Sequence, residues 1–358
     1  MFKFFGSVFL LTLWPLAAAD LYVWQRMHTP ELASEVSRFY RQNSGKLAFW
    51  AGEIENDGTV NSIAPSGMVE SKRATAVIRI HVRQLQNPPA QLAGKIVKIY
   101  QPWQQCNALQ IDLDAPESKL DYYCQLMREL RRRLPGTTLS ATVLPCHIKH
   151  IRSFRLLAQS CDYYVLQIHG LDKRNGKWFI MDETIARTAV ARAEKLRLPY
   201  QLALPLYAHK LKNGQIIQPD LKLTAELAAQ CKNVIGFRLG IKGEREALTL
   251  ESALDICQGR YTPQIKLYWE LQKNGSWVLK IANSGYFVRP VEFTFELPEN
   301  VPVHDMDTFG AAHLDYDRRQ VKLLLPPDGT VQSIMWLRTG KNIDLSQVNT
   351  FNITMKEQ

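Results

Sequence analysis

The run Gln110-Ile111-Asp112-Leu113-Asp114 has the residue types and spacing of a reactive strand end. Side chains two apart on a strand share a face, so Gln110, Asp112 and Asp114 are expected to project together. Two carboxyls on one face repel when ionised, which raises one pKa and makes a general acid beside a carboxylate. The plainer alternative has one aspartate capping a helix near Pro116-Glu117 while the other meets an arginine. A second run, Leu166-Gln167-Ile168-His169-Gly170, sets Gln167 and His169 on one face, and Gly170 lets the chain turn sharply after them. An imidazole there can move protons or bond a carboxylate, or it can be a satisfied structural group.

Other chemistry-bearing residues close further apolar runs: Trp24 and Arg26, Glu53, His81 and Arg83, and Tyr207. Arg79, His81 and Arg83 alternate so as to share one side, where they would balance the two aspartates, since buried charges need partners. Trp178, in the loop over residues 172–181, offers an aromatic face to a sugar ring or packs the loop. The candidate catalytic groups are therefore Asp112, Asp114, His169 and Glu53. The candidate substrate contacts are Trp24, Arg26, Gln110, Gln167, Trp178 and Tyr207. His28, His81, Asp112, Asp114 and His169 would suit Zn²⁺ or Mn²⁺ if they met at one rim. Nothing like H-E-x-x-H concentrates ligands locally, so no metal or other cofactor is expected.

The elements that must position these residues are legible as alternation. Short apolar β-like runs at 21–25, 46–51, 76–82, 108–112, 139–144, 163–168, 201–206 and 234–239 alternate with helical patterns at 30–42, 89–100, 117–134, 183–197, 221–231 and 246–257. Leu120, Tyr123, Leu126, Met127, Leu130 and Leu134 form an i, i+3, i+4 stripe typical of a helix lying on a core. Eight runs alternating with helices predict an α/β fold, a (β/α)8 TIM-like barrel over residues 20–259, with both motif runs ending at its C-terminal rim, where barrel enzymes keep their sites. An open doubly wound sheet is the runner-up, but no G-x-G-x-x-G or P-loop follows any strand. Residues 53–73 lack helical periodicity and predict an irregularity or an inserted loop.

From about residue 260 the pattern changes to β runs without helices, at 265–272, 277–282, 291–297, 321–325, 331–337 and 351–355, which predicts a β-sandwich over 260–358. Trp269, Trp277, Val291, Phe293, Phe295, Leu323, Leu325 and Trp336 are its expected core. Asn274-Gly275 predicts a two-residue type I′ hairpin turn. Asp305, Asp307, Asp315 and Asp317 are expected in a solvated loop.

With 358 residues, 46% hydrophobic and 22% charged, the chain excludes a disordered or collagen-like class. The formal charge of +10 raises the question of nucleic acid, but only Arg131-Arg132-Arg133 is compact, and it ends a predicted helix where cations suit the dipole. A nucleic-acid partner is not expected. Lys3, the apolar stretch 6–16 and Ala17-Ala18-Ala19 read as a signal peptide over 1–19, cut before Asp20. Its apolar run is shorter than a spanning helix requires, so the protein is expected to cross the inner membrane and remain periplasmic with no membrane span. The six cysteines would then meet an oxidising compartment, where at least one disulfide is expected and Cys231–Cys257 is the best single pair.

Three segments together resemble the bacterial domain-of-unknown-function 3142 family: Leu21-Tyr22-Val23-Trp24-Gln25-Arg26, Leu109-Gln110-Ile111-Asp112-Leu113-Asp114 and Val165-Leu166-Gln167-Ile168-His169-Gly170. That resemblance implies an exported, barrel-like bacterial protein with no established activity. A more distant similarity is to family-18 chitinases, whose fourth strand ends D-x-x-D-x-D-x-E. Asp112 and Asp114 match the last two aspartates, Asn107 falls out of register, and Pro116 stands where the glutamate would be, with Glu117 one residue late. The expected function is thus a carbohydrate-active protein, a glycoside hydrolase of bacterial polysaccharide with acids at the barrel mouth. The alternative is a catalytically silent saccharide-binding or envelope-assembly protein.

Overall fold

The computed structural model describes residues 18–285, 291–296, 305–310, 312–315, 319–324, 326–338, 344–347 and 352–357. The first half runs β1 (Asp20–Val23), α1 (Pro30–Gln42), β2 (Leu47–Ile54), β3 (Val60–Ser62), β4 (Ala74–Ile80), α2 (Pro89–Tyr100), β5 (Ala108–Asp112), α3 (Leu120–Arg133), β6 (Thr138–Val143) and α4 (Ile151–Gln159). There follow β7 (Tyr163–Gln167), β8 (Asp172–Arg174), β9 (Lys177–Phe179), α5 (Glu183–Leu196), β10 (Tyr200–Pro205), β11 (His209–Lys210), β12 (Ile216–Ile217), α6 (Leu221–Gln230), β13 (Val234–Phe237) and α7 (Leu250–Cys257).

Strands β1, β2, β4, β5, β6, β7, β10 and β13 pair in that order, all parallel, and β13 pairs with β1 to close the barrel. All eight predicted runs are present, within a few residues of their predicted bounds. Alternation sorts their side chains. Tyr22, Ala48, Val77, Val165, Ala203 and Ile235 fill the interior, while Leu21, Leu47, Phe49, Ile78, Leu109 and Ile111 join the layer beneath the helices. Helix α4 was not among the predicted helices; it has only nine residues, but Phe154, Leu157 and Ala158 give it a buried face. The irregular stretch after Glu53 holds β3, an antiparallel hairpin strand on β2.

Two four-stranded antiparallel sheets follow the barrel. One is ordered β14 (Gln264–Leu271), β15 (Trp277–Ser284), β20 (Thr330–Arg338), β17 (Asp305–Thr308). The other is β18 (His313–Asp315), β19 (Gln320–Leu324), β16 (Val291–Glu296), β21 (Asn352–Glu357). Trp269, Trp277, Leu279 and Ile281 of the first sheet share a core with Leu314, Val321 and Leu323 of the second, so the sheets form the predicted sandwich. Trp336 is a correction to its expected core. A register shift opposite Leu279 and Lys280 makes Ile334 an extra residue in β20, so Ile334, Met335 and Leu337 go inward and Trp336 outward, beside Arg338. Val291, Phe293, Phe295 and Leu325 lie outside the residues whose side chains are described.

The hairpin at Asn274-Gly275 forms differently from expectation. Only Gly275 has positive φ, and its N–H bonds Gln272 O, so a type I turn ends in a left-handed glycine. Asp305 and Asp315 are in strands rather than a loop, as is Asp307, and Asp317 lies outside the described residues. The expected disulfide is also corrected: all six cysteines are free. Cys257 packs over Gly236 of β13, whereas the Cys231 sulfur lies 3.4 Å from the Tyr200 hydroxyl on β10, so the two side chains serve different strands.

Residues 1–17 of the predicted signal peptide lie outside the described residues, and no helix among the described ones is long and apolar enough to cross a membrane. Arg131 pairs with Asp162, and Arg132 and Arg133 share Glu129, so each arginine of the compact basic run has an acidic partner.

The sandwich grips the barrel through Asp328. Its buried carboxylate accepts from Thr249 N (2.8 Å) and Oγ1 (2.9 Å), the cap of α7, and from Gly285 N (2.5 Å). Asp328→Ala removes three charge-assisted bonds and leaves two backbone donors unpaired, so we expect a loss of roughly 2–4 kcal/mol. Urea denaturation checks this; an unchanged midpoint would show that the grip contributes nothing.

Candidate functional site

A single register row places the polar half of the barrel mouth. Glu53 of β2 pairs in register with Arg79 of β4, and Arg79 with Asp112 of β5. The row exists because β2 carries a bulge between Trp50 and Gly52: Trp50 pairs with the inward-facing Val77, and the extra residue brings Glu53 rather than Gly52 inward. Glu53 is only 5% exposed and is held by two arginines, Arg26 Nη2 at 2.5 Å and Arg79 Nη1 at 3.6 Å. The Arg26 guanidinium also stacks over Trp50.

Asp112 ends β5, half-buried, and its pKa is pushed up to about 7. Burial is the main cause, the carboxylates of Asp114 and Glu53 add to it, and Thr142 and Arg79 oppose it. Asp114 lies past the strand end, exposed, in a turn where Ala115 N bonds Leu113 O. It therefore acts on Asp112 as a neighbouring charge, not from the same strand face. Gln110, expected beside them, sits one layer deeper. Its amide donates to Tyr22 Oη (2.6 Å) and Thr142 Oγ1 (3.0 Å), which makes it a structural link under the site.

The other half of the mouth is aromatic. Phe237, at the end of β13, lies 5.2 to 5.6 Å from the rings of Trp24, Tyr22, Tyr207 and His169. His169 is buried in this cluster with its pKa lowered to about 3 by desolvation, so it is a neutral ring at physiological pH rather than a cation. Burial likewise raises the Tyr207 phenol to about 12. Gln167 donates to His169 O (3.2 Å) and opens onto a groove of about 470 Å³ outside the mouth.

The remaining candidates stand apart. Trp178 lies in the β8–β9 hairpin under the Lys173 ammonium. His81 lies one residue past the end of β4, capping the turn that follows, where its Nδ1 accepts from Arg83 N, so of the predicted basic row only Arg79 faces the acids. Among the described residues no three His, Cys, Asp or Glu side chains gather to hold a metal. Glu117 pairs with His150 in the loop beyond Asp114.

Sequence reasoning missed Tyr22, Thr142, Phe237 and His147. His147 is fully buried: its Nδ1 accepts from Leu144 N (3.1 Å) and its Nε2–H donates to Ala115 O (2.7 Å), which ties the loop after β6 to the loop carrying Asp114. The parity of β1 and β13 could have found Tyr22 and Phe237, which alternate with outward Leu21 and Gly236. No sequence signal marks His147.

Residues 70–234 match the family model for a domain of unknown function, DUF3142. The resemblance read from the sequence is thereby borne out over those residues. No curated protein sequence matches the chain. Among solved structures, a class V chitinase from Pseudomonas fluorescens Pf-5 is 10% identical, with TM-score 0.48, covering 67% of this chain and 99% of its own. The spore cortex-lytic enzyme SleL of Bacillus megaterium QM B1551 is 12% identical, with TM-score 0.44, covering 87% and 65%. A xylanase and alpha-amylase inhibitor protein from Scadoxus multiflorus is 12% identical, with TM-score 0.41, covering 62% and 92%.

Proposed function

We propose that this is an exported carbohydrate-active protein, a glycoside hydrolase of bacterial polysaccharide whose reaction takes place in the barrel mouth. The observation that carries the reading is Asp112, with a pKa of about 7, facing a wall of Trp24, Phe237 and Tyr207. Aromatic faces stack on sugar rings, and a carboxyl still protonated near neutrality can protonate a glycosidic oxygen. Glu53 is the second carboxyl. Strands β2 and β5 are separated by β4, so their backbones are roughly 9–10 Å apart, and inward side chains narrow that span. Such a spacing suits inversion, in which the carboxyls stand about 6.5–9.5 Å apart and one activates a water.

One observation favours a silent saccharide-binding protein instead. Glu53 is engaged by two arginines and Glu117 by His150, so neither carboxylate is free to act as a base without moving. Reducing-sugar release from chitin, peptidoglycan and exopolysaccharides, beside Asp114→Asn and Trp24→Ala, separates the readings. We expect Trp24→Ala to lower kcat/KM about tenfold and Asp114→Asn about threefold, by shifting Asp112 toward a lower pKa. Binding without turnover, unchanged in Asp112→Asn and Asp114→Asn, would establish the silent reading.

A further inference from the structure

The helix ring of the barrel opens between α4 and α5. Helix α5 meets the short turn His147–Lys149 there rather than packing along α4. Two cavities of about 470 and 460 Å³ occupy the gap, and they share Lys149 and Arg192, so they form one continuous groove. One end lies at Gln167 and His169 of the barrel mouth, and the other at Lys195 and Leu196, the last turn of α5. Helix α5 rises about 20 Å over that course.

The outer half carries Lys149, Arg155, Arg192 and Lys195 around an apolar floor of Ile148, Ile151 and Leu196. No acid lines it, and among the described residues none of the four cations forms an ion pair. The two acids of the inner half are already engaged: Asp182 caps α5 and pairs with Arg174, and Asp172 accepts from Lys173 N. Lys149 lies within the field of Glu117, but Arg155, Arg192 and Lys195 are spaced along the groove with no acid paired to them, which matches a ligand with repeating negative charge better than a single headgroup, and the apolar floor suits the faces of sugar rings.

We propose that this groove is an extended subsite for an acidic polysaccharide, one bearing carboxylates or phosphates along its length, that leads the chain into the barrel mouth. The proposal rests on the saccharide reading of the mouth and assigns its substrate class. Calorimetry on the full chain with a hexameric oligogalacturonate, beside neutral chitohexaose, reads it directly. The acidic oligomer is expected to bind more tightly, and more weakly at high salt. The triple variant Arg155→Gln, Arg192→Gln, Lys195→Gln is expected to lose roughly 10- to 100-fold in affinity, from three ion pairs. A control with Lys72, Arg128 and Lys222 changed to Gln should keep wild-type affinity.

Equal binding of acidic and neutral oligomers, or an unaffected triple variant, overturns the proposal. So does binding to phosphatidylglycerol vesicles without binding to the oligogalacturonate. Trp24→Ala separates the two levels: acidic binding that depends on the groove cations but is indifferent to Trp24 keeps the groove and removes the saccharide from the mouth.

Discussion

Asp112→Asn is expected to remove turnover and, at the same time, to make the protein harder to unfold above neutrality. The folded state holds a proton on Asp112 up to about pH 7, whereas an unfolded aspartate releases it near 3.8. The native state therefore binds more protons between those values, and this group's contribution to stability is present at low pH and lost as pH rises through 7. For a carboxyl that solvent partly reaches, the shift is worth roughly 2–4 kcal/mol. An amide carries no such charge, so the stability difference, variant minus wild type, should grow by about that amount between pH 4 and pH 8.

His169 titrates with the opposite sign. Its folded pKa of about 3 lies below the ordinary 6.5, so its contribution is complete above 6.5 and lost as pH falls below it. The two groups flatten the wild-type curve, and only the difference between proteins isolates Asp112. Urea unfolding at several pH values measures it; parallel curves would mean that Asp112 is not held protonated. Turnover by the wild type should fall above pH 7 as the acid loses its proton.

His147→Ala should be the most damaging single change near the site. It leaves the Leu144 N–H and the Ala115 carbonyl without their partner in a fully buried place and opens a cavity, together roughly 3–5 kcal/mol. Because Ala115 follows Asp114, the loop whose carboxylate adds to the burial-driven shift of Asp112 loses its anchor. His147→Gln, which can donate to Ala115 O, should recover part of the stability and return the pH profile toward wild type. A variant that loses stability but keeps the wild-type profile would confine His147 to a structural role. Burial also lowers the His147 pKa, so its contribution is present above about pH 6.5 and weakens in acid.

Much of this molecule is written locally. The stripe along α3, the Thr29 cap and Pro30 that start α1, and the eight apolar runs depend on neighbours within a few positions, so their periods show through. The ends of runs are less legible. Asp114 was expected to share the face of Gln110 and Asp112, yet the chain turns once β5 stops at Asp112, and beyond a strand end the facing of a side chain is set by the turn and no longer by the period of two. His81 left the acidic row for the same reason when β4 ended at Ile80.

The sequence by itself determined the fold class, the two sheet architectures, and the presence of Asp112, Trp24 and His169 at one rim, because period-two alternation and strand order are properties of the chain. Only the tertiary structure decided which groups meet. The bulge in β2 turned Glu53 inward against Arg26 and Arg79, Gln110 became a link under Tyr22 and Thr142, and His169 became a neutral ring packed on Phe237. Closure of β13 against β1 brings residues more than two hundred positions apart into contact, and the pKa of Asp112 follows from the low-dielectric space that closure creates.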